Sequence, residues 1–356
     1  MRKFPALAES RCPSMFDLGP AEITAVGLGS AGCRIVSLLS RESLLIDRFV
    51  CVSCDRNDLS SVENVEKIQI DSPVDQKLTP SMVRGLAFSS LSRVRAAVAG
   101  SKVVFVVAGL GGATGSGLAP LVASAANESG AITVGVAVMP FEFEKKMRFH
   151  AGVSLRRLRF AARGVIVVDN DTLMGSSPDD STLVELYTTA NREAVKSLGA
   201  MLSRSSGTSV PVGLNKLLGA VLQDGYALLG MSSSDSSDKA EEALAGAVVS
   251  IGKLAEAGEA SRAVVVLRGD ESLSASDVGV AVKRLGSLMN NEGVDVEYGV
   301  SYSGTAQLQV SLLASGFKST KYDDYDPITK ALHGRVMDDE YDSALPFGLE
   351  MLPTCE

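Results

Sequence analysis

The sequence predicts an α/β fold: a parallel sheet covered by helices on both faces, joined through one long central helix to a smaller α+β domain. Three observations point there. Short β-branched runs alternate with helical stretches through the first half, glycine-rich turns twice link a strand to a helix, and Leu183–Leu202 repeats apolar side chains every three or four positions.

In chain order, residues 1–20 are an N-terminal extension and Ile23–Gly27 is the first strand. A helix through Arg34–Ser40 and a strand at Phe49–Ser53 complete a βαβ unit. Lys102–Ala108 is a β-branched run closed by glycines and followed by a small-residue helix, Leu118–Glu128; Ile132–Val138 and Gly164–Val168 repeat the strand signal. Strands buried on both faces read as continuous apolar runs, so residues 21–182 are assigned to one parallel-sheet domain. The central helix takes residues 183–206, with Leu183, Leu186, Tyr187, Ala190, Ala194, Leu198 and Leu202 along one stripe. Ser203–Gly213 breaks it. A helix at Asn215–Leu229, a polar serine run at Ser232–Ser237, a helix at Lys239–Ile251 and strands at Ala263–Arg268, Val294–Ser301 and Gln307–Leu313 make residues 207–318 an α+β domain. From residue 319 to 356 the chain is an acidic, turn-rich tail carrying Asp323, Asp324, Asp326, Asp338, Asp339, Glu340 and Asp342.

Composition narrows the function. The 356 residues are 46% hydrophobic and 21% charged, enough for a substantial core. Apolar stretches such as Val103–Leu110 and Ile132–Met139 fall well short of the roughly 20 residues that span a bilayer, and residues 1–20 lack a continuous apolar run, so a soluble, cytoplasmic protein without direct membrane insertion is expected. A net charge of −8 argues against nucleic acid as a partner. The odd cysteine count of 5 reads as reduced thiols, and Cys51-x-x-Cys54 has no second pair and only His150 and His333 as imidazole ligands, so no metal site is assigned.

Gly27-Leu28-Gly29-Ser30-Ala31-Gly32 follows a strand and opens a helix, the context in which free N–H groups receive phosphate. The spacing fits a dinucleotide-binding fold equally, with Asp55 as its ribose carboxylate and an NAD(P)-linked oxidoreductase as the corresponding function. Gly109-Leu110-Gly111-Gly112-Ala113-Thr114-Gly115-Ser116-Gly117 is a second such turn, which that fold does not need; two turns at neighbouring strand ends can grip a di- or triphosphate from two sides.

At these residues the chain resembles the tubulin and FtsZ superfamily. Gly111–Gly117 reads as its glycine-rich signature with Ala113 where a third glycine is usual, and Pro140–Glu144 with Arg148, Asn170-Asp171 and Gly225–Gly230 are similar to FtsZ segments. The resemblance runs from about Ile23 to Leu313. It implies GTP or GDP as ligand, with magnesium possible, held by Gly27, Gly29, Gly32, Gly111, Gly112, Ala113, Thr114, Gly115, Ser116 and Gly117 at the phosphates. It further implies Asp55 near the phosphates and magnesium, Glu144 and Arg148 at the ribose with Asn170 close by, and Tyr187 and Asn191 at the guanine. Tyr187 and Asn191 lie four apart and share a helix face.

The same resemblance marks departures. FtsZ completes catalysis with acids in the loop after the central helix, offered to the nucleotide of the next subunit; here Pro211, Gly213, Asn215 and Lys216 occupy that stretch and no carboxylate remains. The expectation is an FtsZ-like cytoskeletal GTP-binding protein of cell division or cell shape, assembling with itself or with an FtsZ paralogue in filaments, with weak or absent homopolymer GTPase activity. An alternative is a GTPase activated only by an acid-loop FtsZ partner. The apolar cluster Phe347, Leu349 and Leu352 behind Asp338–Asp342 resembles in position the FtsZ tail peptide that docks an adaptor.

Overall fold

The structure is a computed structural model describing residues 22–73, 76–174, 181–204, 209–236, 238–270, 273–302 and 307–325. The first half runs β1 (Ile23–Leu28), α1 (Gly29–Leu39), β2 (Arg48–Ser53), α2 (Arg56–Ser60), β3 (Glu66–Gln69), α3 (Pro80–Ala87), α4 (Leu91–Val98), β4 (Val103–Gly109) and α5 (Ala113–Glu128). It continues with β5 (Ile132–Met139), α6 (Lys145–Ala161), β6 (Gly164–Asp169), α7 (Asn170–Leu173) and α8 (Leu183–Met201). The remainder is α9 (Leu214–Val221), β7 (Tyr226–Ser234), α10 (Lys239–Gly252), β8 (Arg262–Gly269), α11 (Ala275–Leu288), β9 (Asp295–Tyr302) and β10 (Leu308–Phe317).

All these strands join one sheet in the order β3-β2-β1-β4-β5-β6-β7-β10-β8-β9. β1 to β6 are parallel, and β7 continues the pattern by pairing Ala227–Leu229 with Ile166–Val168. β10 then inserts antiparallel between β7 and β8. Every residue of β1 is buried, as the unbroken apolar run requires. One core, against α5, α6 and α10, includes Val26, Val106, Leu118, Leu155 and Leu244. A second, on α1, α8 and α9, includes Ile35, Val107, Leu198 and Leu218. Each such buried aliphatic side chain contributes about 1.5–3 kcal/mol of apolar burial. Cys51 in β2 and Cys54 just after it are buried free thiols. Among the described residues no helix is long and apolar enough to cross a membrane.

α8 begins where the sequence pattern begins. Thr182 caps it by accepting from Glu185 N at 3.3 Å while Glu185 Oε2 accepts from Thr182 N at 2.8 Å, a reciprocal box that satisfies two otherwise orphaned donors.

The expected helix at Asn215–Leu229 is corrected: helix α9 ends at Val221, and Tyr226–Leu229 opens strand β7. The apolar residues of that stretch fit either period, and Gly225 decides between them. Its φ of +107° suits glycine alone, and a Cβ there would lie 2.2 Å from Phe317 O. Ser232–Ser234, expected as a polar loop, pairs with Leu308–Val310 as the rest of β7. Helices α6 and α11 were not anticipated as elements. The start of the expected tail also packs down: Tyr322 is fully buried, and Lys321 Nζ lies 2.5 Å from the buried carboxylate of Asp169. Asp326, Asp338–Asp342, Phe347, Leu349 and Leu352 lie outside the described residues.

Two glycine substitutions should move stability in opposite directions. Gly225→Ala is expected to cost about 2 kcal/mol or more, because strain and a backbone clash coincide. Gly279→Ala, within α11 and facing open space, should gain up to about 1 kcal/mol from helix propensity. Urea midpoints of the two variants check both signs.

Candidate functional site

Parallel strands of a doubly covered sheet end at one edge, and the turns leaving them face outward. The turns after β1, β2, β4, β5 and β6 enclose a cleft of about 490 Å³. The two glycine turns meet in it. A Cβ on Gly29, whose φ is +66°, would sit 3.1 Å from Thr114 Cβ, and one on Gly109 would sit 2.9 Å from Ala31 Cβ. α1 and α5 both start here, and no side chain caps either helix. Their first-turn N–H groups and positive dipole ends therefore suit an anion.

Of the residues expected at the nucleotide, Gly29, Asp55, Gly112, Ala113, Thr114, Gly115, Glu144, Asn170, Tyr187 and Asn191 line this cleft. Gly112 identifies where a ligand fits. Its φ of −76° is open to any residue and a Cβ would touch no protein atom within 4 Å, so the space it leaves belongs to the cleft. Asn170 gives the second sign: it is 7% exposed, and its buried Oδ1 has no hydrogen-bond partner among the described residues. A buried acceptor left open at a cleft wall suits a ligand donor.

Gly27, Gly32, Gly111, Ser116 and Gly117 do not line the cleft and instead shape it from behind. A Cβ on Gly27 would meet Gly32 O at 2.4 Å, one on Gly32 would meet Val107 O at 2.3 Å, and one on Gly117 would meet Pro80 O at 2.8 Å. Gly111, at φ +101°, donates its N–H to Ser116 Oγ at 2.8 Å, which holds the turn onto α5.

Arg148, expected at the ribose, is buried at 4% exposure and ion-pairs Asp171 at 3.0 Å. The Asp169–Asp171 carboxylates draw it inward: burial, then the neighbouring Asp169 charge, push the Asp171 pKa up, and Arg148 and Lys321 oppose that rise. Glu144 and Tyr187 stay at the cleft. The Tyr187 hydroxyl donates to Glu144 Oε1, and Glu144 Oε2 accepts from Phe141 N at 2.9 Å. Burial and that carboxylate raise the phenol pKa, so Tyr187 remains neutral with its ring edge-on to Phe141 at 5.4 Å. Asp55 caps α2, accepting from Asn57 N at 2.8 Å. Arg34, Asp58 and Met147 also line the cleft and were not in the expected set. Arg34 had a signal, a cation just past the first glycine turn; Met147 had none.

Arg148→Met is expected to destabilise the fold by about 1–3 kcal/mol by removing the buried guanidinium that pairs with Asp171. Denaturant unfolding measures this, and an unchanged midpoint with lost ligand affinity would return Arg148 to the ligand.

The sequence profile of the Tubulin/FtsZ family, GTPase domain, matches residues 22–178. Cell division protein FtsZ 1 of Pyrococcus horikoshii is 32% identical over 231 residues, 63% of this chain and 61% of the relative, so the match spans about three-fifths of that relative's length. A solved FtsZ from M. jannaschii superposes with a TM-score of 0.74 at 26% identity, covering 85% of this chain and 95% of that one. CetZ2 from Haloferax volcanii shares the fold with a TM-score of 0.68 at 22% identity, over 91% of this chain and 99% of that one. Residues 22–178 thus match the Tubulin/FtsZ GTPase domain, and the chain as a whole is similar to FtsZ in sequence and fold.

Proposed function

We propose that the protein is an FtsZ-like cytoskeletal GTP-binding protein that assembles with itself or an FtsZ paralogue and turns its nucleotide over slowly, if at all, as a homopolymer. The observation that carries nucleotide binding is the convergence of both glycine turns, the open Gly112 cradle and the α8 residues Tyr187 and Asn191 on one cleft. The strand order β3-β2-β1-β4-β5-β6 is also that of dinucleotide-binding folds, so topology does not separate GTP from NAD(P). The second glycine turn favours GTP, because it adds a further helix N-terminus to the same cleft.

In this reading the first turns of α1 and α5 hold the phosphate chain, Asn170 and Asn191 offer amide groups to ribose and base, and the Tyr187 ring supports the base. Among the described residues no group of three or more His, Cys, Asp or Glu could hold a metal alone. Magnesium would instead reside on the nucleotide's phosphates with Asp55 and Asp58, the mixed donor set that ion favours, and would supply charge neutralisation there.

Slow turnover follows from the far end of α8. From Asn191, which lines the cleft, α8 carries the chain roughly 15 Å further to Met201, so the segment that follows leaves from the far end of the helix. That loop offers nothing to activate water. Gly213, at φ +83°, starts α9, Asn215 is exposed, and the Lys216 ammonium is held 2.6 Å from Glu297. CetZ2 from Haloferax volcanii, with this fold, is solved as a GTPγS-bound protofilament. Because the cleft retains its parts while the loop lacks acids, an acid-loop FtsZ docked on the cleft would restore hydrolysis from one side only.

Saturating GTP at about 100 Kd should stabilise the fold by about 2.7 kcal/mol, read as a rise in melting temperature that NAD does not give. Phosphate release from the protein alone with magnesium and GTP should run about 10²–10⁴ slower than from an acid-loop FtsZ. Turnover at ordinary FtsZ rates would overturn the slow-turnover reading, and a shift with NAD but not GTP would overturn the family assignment of ligand.

A further inference from the structure

A second cavity, of about 510 Å³, opens where α8 meets the C-terminal end of α1 and the β8–β9 edge. It is lined by five cations, Arg41, Arg192, Lys196, Arg204 and Arg268, against one carboxylate, Glu42. The chain as a whole carries a net charge of −8, so this cavity reverses the sign of its surroundings. Three of the cations are partly neutralised by acids that do not line it: Arg41 by Glu63 at 3.2 Å, Lys196 by Glu193 at 2.5 Å and Arg204 by Asp47 at 3.0 Å. Arg192 and Arg268 form no ion pair among the described residues, one approaching from α8 and the other from β8.

Gathering like charges around one concavity raises their mutual repulsion, and a bound anion removes it. Guanidinium forks match phosphate oxygens two at a time, and four of the five cations are arginines. We propose that this cavity binds a small polyphosphorylated anion, bridged by Arg192 and Arg268 and lined by none of the residues that line the glycine-turn cleft.

The probe is inorganic tripolyphosphate, titrated calorimetrically into the full chain. Binding is expected to persist in Gly112→Glu, whose added carboxylate blocks the nucleotide cleft, and to weaken about tenfold or more in R192A/R268A, which removes two charge-assisted donors together. Neither arginine has an ion pair to lose, and R192K/R268K, which keeps the charge, should bind more tightly than the alanine pair at equal melting temperature. Added salt should weaken the binding. Loss of binding in Gly112→Glu with none in R192A/R268A would assign the anion to the nucleotide cleft and overturn the proposal. So would the absence of any binding, and so would citrate binding as tightly as tripolyphosphate, which would remove the phosphate assignment.

Discussion

Close backbone contact at the carboxyl ends of β1 and β4 is the constraint on which the rest of the molecule depends. Gly32 lies against Val107 O, Gly27 against Gly32 O and Gly115 against Gly109 O, each so near that a Cβ would stand 2.2–2.4 Å from a carbonyl oxygen. Only glycine permits this approach. It brings α1 and α5 down onto the strand ends with their uncapped first turns facing one space, and the anion site follows from where those helices start. The residues that create the site are therefore largely not the residues that border it.

This division explains how much of the site was legible in the sequence. A glycine between strand and helix announces a phosphate turn whether it packs or binds, so Gly27, Gly32 and Gly117 looked the same as Gly29 and Gly112. Only the direction in which a Cβ would point separates them. Arg148 misled for a related reason: a cation shortly after Glu144 looks available to a ligand, but the carboxylate that holds it, Asp171, comes from the next strand–helix junction and meets it only in three dimensions. Tyr187 and Asn191, singled out by the family resemblance, do line the cleft, and their four-residue spacing on α8 puts them on one face of it.

Fold legibility varied along the chain by the same logic. Parallel strands buried on both faces advertise themselves as β-branched runs, and β1, β4, β5 and β6 were read within a residue or so of their ends. Tyr226–Ser234 did not, because β7 starts apolar and finishes as serines that pair with β10 at the sheet's mixed half. A serine run reads as loop until its hydrogen-bond partner, some 70 residues later, is known.

α8 joins these threads. Its first turns carry Tyr187 and Asn191 to the glycine-turn cleft, its middle carries Arg192 and Lys196 to the basic cavity, and its end leads on to Gly213 and helix α9, where Asn215 and Lys216 sit. A rigid, capped helix cannot shift at one of these places without shifting at the others, so whatever occupies either cavity bears on the position of the loop. An occupant of either cavity is therefore coupled through α8 to the segment that leads into α9, whether or not it touches that segment.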